Sequence, residues 1–126
     1  MASSQILLDR KTTIDLAVWG LKERNLTITE VIHELIKVYS QTWCVNAYSI
    51  NCGLCEDFAW SVCEVIDGAE AYWGNELCTE EETEYEFELY GCHCFVEYEG
   101  RYYDSESPDG EDNFRDLRCF AEQRIP

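Results

Sequence analysis

An α+β domain is expected from this chain, with amphipathic helices in its first half and an antiparallel sheet of about four strands in its second. Three observations predict it. Thr27 and Glu30 open a stretch in which Ile28, Val31, Ile32, Leu35 and Tyr39 recur at helical spacing. Asn51-Cys52-Gly53-Leu54-Cys55-Glu56-Asp57-Phe58-Ala59 starts a second stripe that continues through Val62 and Val65/Ile66. Cys92 to Tyr98 and Arg101 to Ser105 flank Glu99-Gly100 and predict a hairpin. Helices followed by consecutive strands bury one face of each element in a shared core, and 126 residues suit a single domain over positions 1–126.

The elements follow in order. Residues 1–11 carry no clear period. A first helix is expected from Thr12 as cap, with Asp15 three residues later, Ile14, Ala17, Val18 and Leu21 on one side, and an end near Asn25. On the second helix, His33 falls between Glu30 and Lys37 on the polar side, the position of an ordinary surface histidine. Residues 41–54 have no sustained period and form an irregular approach to the third helix, where Gly53 is expected to supply a sharp turn. Asp67-Gly68 stops that helix. Strands are expected at Ala69 to Trp73, Glu84 to Tyr90, Cys92 to Tyr98 and Arg101 to Ser105. In the second of these, Tyr85, Phe87 and Leu89 face the core and the glutamates form a solvated face. Ser107-Pro108-Asp109-Gly110 has the composition of a turn, and the tail Asn113 to Phe120 packs Phe114, Leu117 and Phe120 back on the body.

A formal net charge of −17 argues against direct binding to nucleic acid or an anionic membrane, since phosphate contacts need clustered Lys and Arg. The acid is concentrated between Glu76 and Asp112, where Arg101 is the one basic residue; it either solvates a surface or attracts a basic substrate or partner. Met1-Ala2-Ser3-Ser4-Gln5 has neither the basic start nor the apolar run of a signal peptide, and no apolar stretch approaches membrane-spanning length, so a cytoplasmic protein is expected. Eight cysteines in helix and strand patterns then imply reduced thiols, most of them small core residues.

Cys55 is the exception. At a helix N-terminus the unpaired N–H groups and the macrodipole favour thiolate over thiol, which makes a sulfur nucleophilic. With His33 on the surface, imidazole chemistry rests on His93. If the hairpin loop has two residues, Tyr98 pairs with Arg101 and Phe95 with Asp104. His93, Asp104 and Glu106 then share a face, Asp104 diagonal to the imidazole and Glu106 a second acid. A three-residue loop would flip the parity and separate them.

Gly53-Leu54-Cys55-Glu56-Asp57-Phe58-Ala59, followed by His93-Cys94-Phe95-Val96 and then Gly100-Arg101-Tyr102-Tyr103-Asp104, resembles the transglutaminase-like superfamily in motif and in the order Cys, His, Asp. The same Cys52-Gly53-Leu54-Cys55 is similar to papain-type proteases, whose histidine lies much further along the chain. The resemblance implies a papain/transglutaminase-like core, with Cys55 as nucleophile, His93 as general base and acid, and Asp104 as its orienting group. It implies thiol-dependent acyl transfer or amide hydrolysis on a peptide, protein or amide substrate; no cofactor or metal is expected. Gln41, Trp43, Asn51 and Glu106 are further candidates for oxyanion or substrate contacts. Two other accounts fit some of the same residues. One is a structural zinc held by Cys52 and Cys55 with Cys92 and Cys94 or His93. The other is a non-catalytic acidic interaction protein that binds a basic partner.

Overall fold

The computed structural model describes residues 9–124. The lead-in from 1 to 8, including the Met1 to Gln5 start, lies outside them. Helix α1 (Arg10–Lys22) is capped by Asp9, whose carboxylate accepts from the Lys11 N–H at 2.8 Å, so the cap falls three residues before the expected Thr12. Helix α2 (Ile28–Trp43) opens on the predicted capping box, with Thr27 and Glu30 each satisfying the other's backbone N–H. Its stripe Ile28, Val31, Ile32, Leu35 and Tyr39 is buried, while His33 is exposed.

The segment expected to be irregular contains helix α3 (Ala47–Gly53), capped by Asn46 through the Ser49 N–H at 2.8 Å. Gly53 is its last residue, and its φ is not positive. The break falls instead at Leu54 (φ −120, ψ 16), which ends α3 and precedes α4 (Cys55–Val65).

Four strands form an antiparallel meander in the order β1 (Glu70–Trp73), β2 (Cys94–Tyr98), β3 (Arg101–Asp104), β4 (Ser107–Glu111). The count agrees with expectation and two identities do not. Glu84 to Tyr90 is helix α5, opened by a Thr83/Glu86 capping box, with Leu89 and Tyr90 buried and Tyr85 and Phe87 half exposed. Over seven residues the alternation of Tyr85, Phe87 and Leu89 mimics a strand, but the cap and the glutamates favour a helix. The fourth strand is the stretch expected to be a turn. Pro108 and Gly110 are tolerated there because β4 is an edge strand paired irregularly with β3, and Gly110 lies at φ +85 against the Tyr103 ring.

Strand alternation divides the core. Cys94, Val96 and Tyr103 face α1 to α4, together with Ile14, Val18, Leu35, Tyr39, Phe58 and Val62. Phe95 faces the other way, into a cluster with Leu89, Tyr90, Phe114, Leu117 and Phe120, so the C-terminal tail packs as expected, through a 3-10 turn (Phe114–Asp116) and helix α6 (Arg118–Ala121). No helix among the described residues is long and apolar enough to cross a membrane.

Glycine content separates two cases. A Cβ at Gly74 would meet the Tyr90 carbonyl oxygen at 2.4 Å and the Phe120 ring at 2.8 Å, whereas one at Gly53 meets nothing within 4 Å. Gly74→Ala is therefore expected to lower the unfolding free energy by about 3 kcal/mol, and Gly53→Ala to leave it unchanged or raise it by up to about 1 kcal/mol. Urea unfolding of the two variants checks this.

Candidate active site

One end of the sheet gathers the chemistry. There β1 ends, His93 precedes β2, and Asp104 closes β3 before the turn into β4. The N-terminus of α4 reaches the same end.

The hairpin register is the one a two-residue loop demands. Glu99 and Gly100 both have positive φ (51 and 78), and Tyr98 pairs with Arg101 and Val96 with Tyr103. Extended two residues, that register sets Asp104 diagonal to His93, and His93 Nε2 lies 2.9 Å from Asp104 Oδ2. Both side chains are buried, at 2% and 3% exposure, and their contact offsets part of the cost of desolvating each. Asp104 is held in turn by the backbone, because Oδ1 accepts the Glu106 and Ser107 N–H groups at 2.9 Å each. One carboxylate thus shapes the β3–β4 turn and aims the imidazole.

With Nε2 committed to Asp104, His93 Nδ1 is left buried without a hydrogen-bond partner. His93 lines a cleft of about 380 Å³ together with Cys55, Asn51, Tyr48, Trp73, Cys119 and Arg124. Burial opposes charge on His93, but Asp104 and the thiols of Cys119 and Cys55 favour the imidazolium and win, raising its pKa to about 11. Burial likewise pushes the Cys55 thiol up, while the His93 imidazole and the backbone N–H groups of Cys94 and Glu56 pull it below the ordinary cysteine value. Cys63 and Cys94 have no imidazole beside them, and desolvation raises Cys63 to about 11 and Cys94 to about 12. At Cys55 the imidazole and the backbone N–H groups therefore reverse the effect of burial that prevails at Cys63 and Cys94. All eight cysteines are free thiols.

Asp57, two residues from Cys55, does not face the sulfur. Its carboxylate accepts from the Tyr39 hydroxyl, which also lies 2.8 Å from Ser61 Oγ, and Tyr39 meets Phe58 edge-on at 5.2 Å. This tether anchors the first turn of α4 on α2 and fixes where the sulfur points.

The remaining candidates separate. Gln41 is exposed and absent from the cleft wall. Trp43 lines a different groove, with Ile14, Val18 and Trp60 between α1 and α4, and carries the Arg10 guanidinium 4.8 Å above its ring. Asn51 does line the cleft, but its amide is engaged: Nδ2 donates to Glu106 Oε1 at 2.8 Å, and Oδ1 lies 3.0 Å from Ser105 Oγ. Glu106 is not a second acid for His93; it pairs with Arg124 at 2.5 and 3.2 Å. The two-residue parity holds only while the strands stay paired, and the chain turns at Asp104, which redirects Glu106.

For the zinc account, Cys94 is buried on the helix side of β2, whereas Cys92 precedes the strand and borders the cleft. The two do not share a face, because strand alternation does not extend to Cys92. Among the described residues no three His, Cys, Asp or Glu side chains are grouped to hold a metal ion.

Sequence reasoning missed Tyr48, Cys119 and Arg124. Cys119 lies between Leu117 and Phe120, so the expectation that those two pack on the body already implied a thiol near the sheet. Nothing in the pattern of residues marked Arg124.

Because His93 has a raised pKa, its contribution to stability is complete below about pH 6.5, the ordinary histidine value, and is lost as pH rises toward about 11. Asp104→Asn removes the charge behind that shift. The stability difference between wild type and Asp104→Asn is expected to be largest near pH 6 and to shrink by pH 10, as measured by urea unfolding at each pH. Asp104→Ala additionally strands two backbone N–H groups and is expected to cost about 2–5 kcal/mol near neutral pH.

No family model matches the chain, and no curated protein or solved structure matches it.

Proposed function

We propose that this chain is a cysteine-dependent enzyme of transglutaminase-like type, carrying out acyl transfer or amide hydrolysis with Cys55 as nucleophile, His93 as general base and acid, and Asp104 as the orienting group. One observation carries this reading: the buried His93 ring, tied through Nε2 to Asp104 and with no hydrogen-bond partner at Nδ1, lines the same cleft as Cys55. A histidine serving only the core would bury both nitrogens with partners. The lowered Cys55 pKa supports the same assignment, since the other shifted thiols are raised.

The sequence of steps follows from those positions. The Cys55 thiolate attacks the substrate carbonyl carbon and forms a C–S bond, pushing the π electrons onto oxygen. The first-turn N–H groups of α4, which has no side-chain cap, stabilise that oxyanion and supply the donors that Gln41, Trp43 and Asn51 do not. Collapse of the intermediate breaks the C–N bond, and His93 gives its proton to the departing amine. A water or a second amine then loses a proton to His93, attacks the thioester and releases Cys55. Asp104 holds the ring against rotation, a role that needs its two backbone donors to keep it in place.

Iodoacetamide at pH 6, with the modified peptide located by mass spectrometry, tests the assignment. Cys55 is expected to react at least tenfold faster than the other seven cysteines, and His93→Ala to remove that advantage. If Cys55 reacts no faster than the rest, the enzyme reading is lost, and an acidic protein that binds a basic partner is what stands.

A further inference from the structure

The cleft wall next to Cys55 contains a second constellation that the acyl-transfer chemistry does not use. Glu106 has a side chain only 7% exposed. Asn51 donates to its Oε1 from one side. From the cleft side it is met by Arg124, through Nη1 at 2.5 Å and Nη2 at 3.2 Å. The Arg124 guanidinium lies 4.5 Å from the centre of the Tyr48 ring, and its Nη1 is 3.8 Å from Cys119 Sγ. Cys119 and His93 line the same cleft. A buried carboxylate, an aromatic face and a guanidinium between them thus stand one thiol away from the imidazole.

Those are the elements of a receptor for a planar cation: a bidentate carboxylate partner, a fixed hydrogen-bonded support behind it, and a π-face. The occupant is supplied by the chain itself, from the turn that follows α6. Glu122 also accepts from Arg124, at 2.7 Å and 3.0 Å, and shares the cation from the solvent side. Arg118 approaches Glu106 only to 3.8 Å and is 59% exposed. Arg124 is consequently the group that fills the pocket, and it is neutralised there by two carboxylates. It has no free charge to offer an anionic substrate.

We propose that this pocket is a substrate subsite for a guanidinium side chain, with Arg124 as its internal stand-in: an arginyl residue of a peptide binds on Glu106 and Tyr48 after Arg124 leaves, and so brings its carbonyl to Cys55. The proposal deepens the enzyme reading and rests on it. The −17 charge of the chain draws such a peptide in, and Glu106 with Tyr48 selects among the cations that arrive.

Acetyl-arginyl, acetyl-leucyl and acetyl-glutamyl chloromethyl ketones are the probes, with alkylation of Cys55 followed by mass spectrometry in wild type, Arg124→Ala and Arg124→Met. In both variants the arginyl probe is expected to react at least tenfold faster than in wild type, with the leucyl probe changed by less than threefold. Agmatine at millimolar concentration should slow iodoacetamide labelling of Cys55 in the variants and not in wild type. Adding Glu106→Gln to either variant should erase the preference for arginine. An equal gain for all three probes would make Arg124 a simple steric plug, and no gain would make it a structural brace; either result overturns the subsite. Arg124→Met keeps the apolar stem over Tyr48, so one folded variant remains if Arg124→Ala unfolds. Selective iodoacetamide labelling of wild-type Cys55 persists under either negative result, which separates failure of the subsite from failure of the enzyme reading.

Discussion

The contact between His93 and Asp104 governs the end of the sheet on which the rest of the molecule converges. Two ionisable groups at 2% and 3% exposure are tolerable only because each satisfies the other. Asp104 is further fixed by two backbone donors at the start of the next strand. The same three bonds therefore decide where β3 stops, how β4 leaves, and which nitrogen of His93 is left without a partner. Ser105, next in the chain, lies 2.6 Å from the Ala47 carbonyl oxygen and joins this turn to α3, so the helix before Cys55 is referenced to the strand that holds the acid. Geometry between two distant parts of the chain is set by one short turn.

Cys55 differs from Cys63 and Cys94 by its neighbours. Burial alone drives a thiol toward the neutral form, as at Cys63 and Cys94. At Cys55 an imidazole and two backbone N–H groups reverse the sign. The acids that flank the sulfur in sequence do not cancel this, because Asp57 is turned onto the Tyr39 hydroxyl and the N–H of Glu56 is itself among the stabilising donors. The helix N-terminus orients both effects: side chains of its first turn splay away while its N–H groups point along the axis.

The acidic surplus has a structural side as well. Glu30, Glu76, Glu82 and Glu86 each accept a backbone N–H just ahead of them, so part of the charge serves as helix and turn caps. The solvated strand face expected from Glu80 to Glu88 is instead a capped turn and the first turns of α5. In α5 Leu89 and Tyr90 are buried, while Tyr85 and Phe87 in the preceding turn stay half exposed and the Tyr85 hydroxyl donates to Gln123 Oε1 at 3.1 Å.

Local physics was legible in the residues alone wherever it was self-contained. The Thr27 capping box with its periodic stripe, the Glu99-Gly100 loop that permits positive φ at both positions, and the alternation that carries Phe95 and Val96 to opposite faces all follow from interactions a few residues apart. The parity argument placed Asp104 beside His93 because strand pairing is itself local around a tight turn. Tertiary structure decided what depends on distant partners: that Glu106 turns from His93 to Arg124, that Asn51 is consumed by that pair, that Trp43 lines another groove, and that Cys119 joins the cleft. Short segments such as Glu84 to Tyr90 and Ser107 to Glu111 fall in the same class. Seven or fewer residues bury too little to enforce their own conformation, so the helix cap on one and the open sheet edge beside the other chose it.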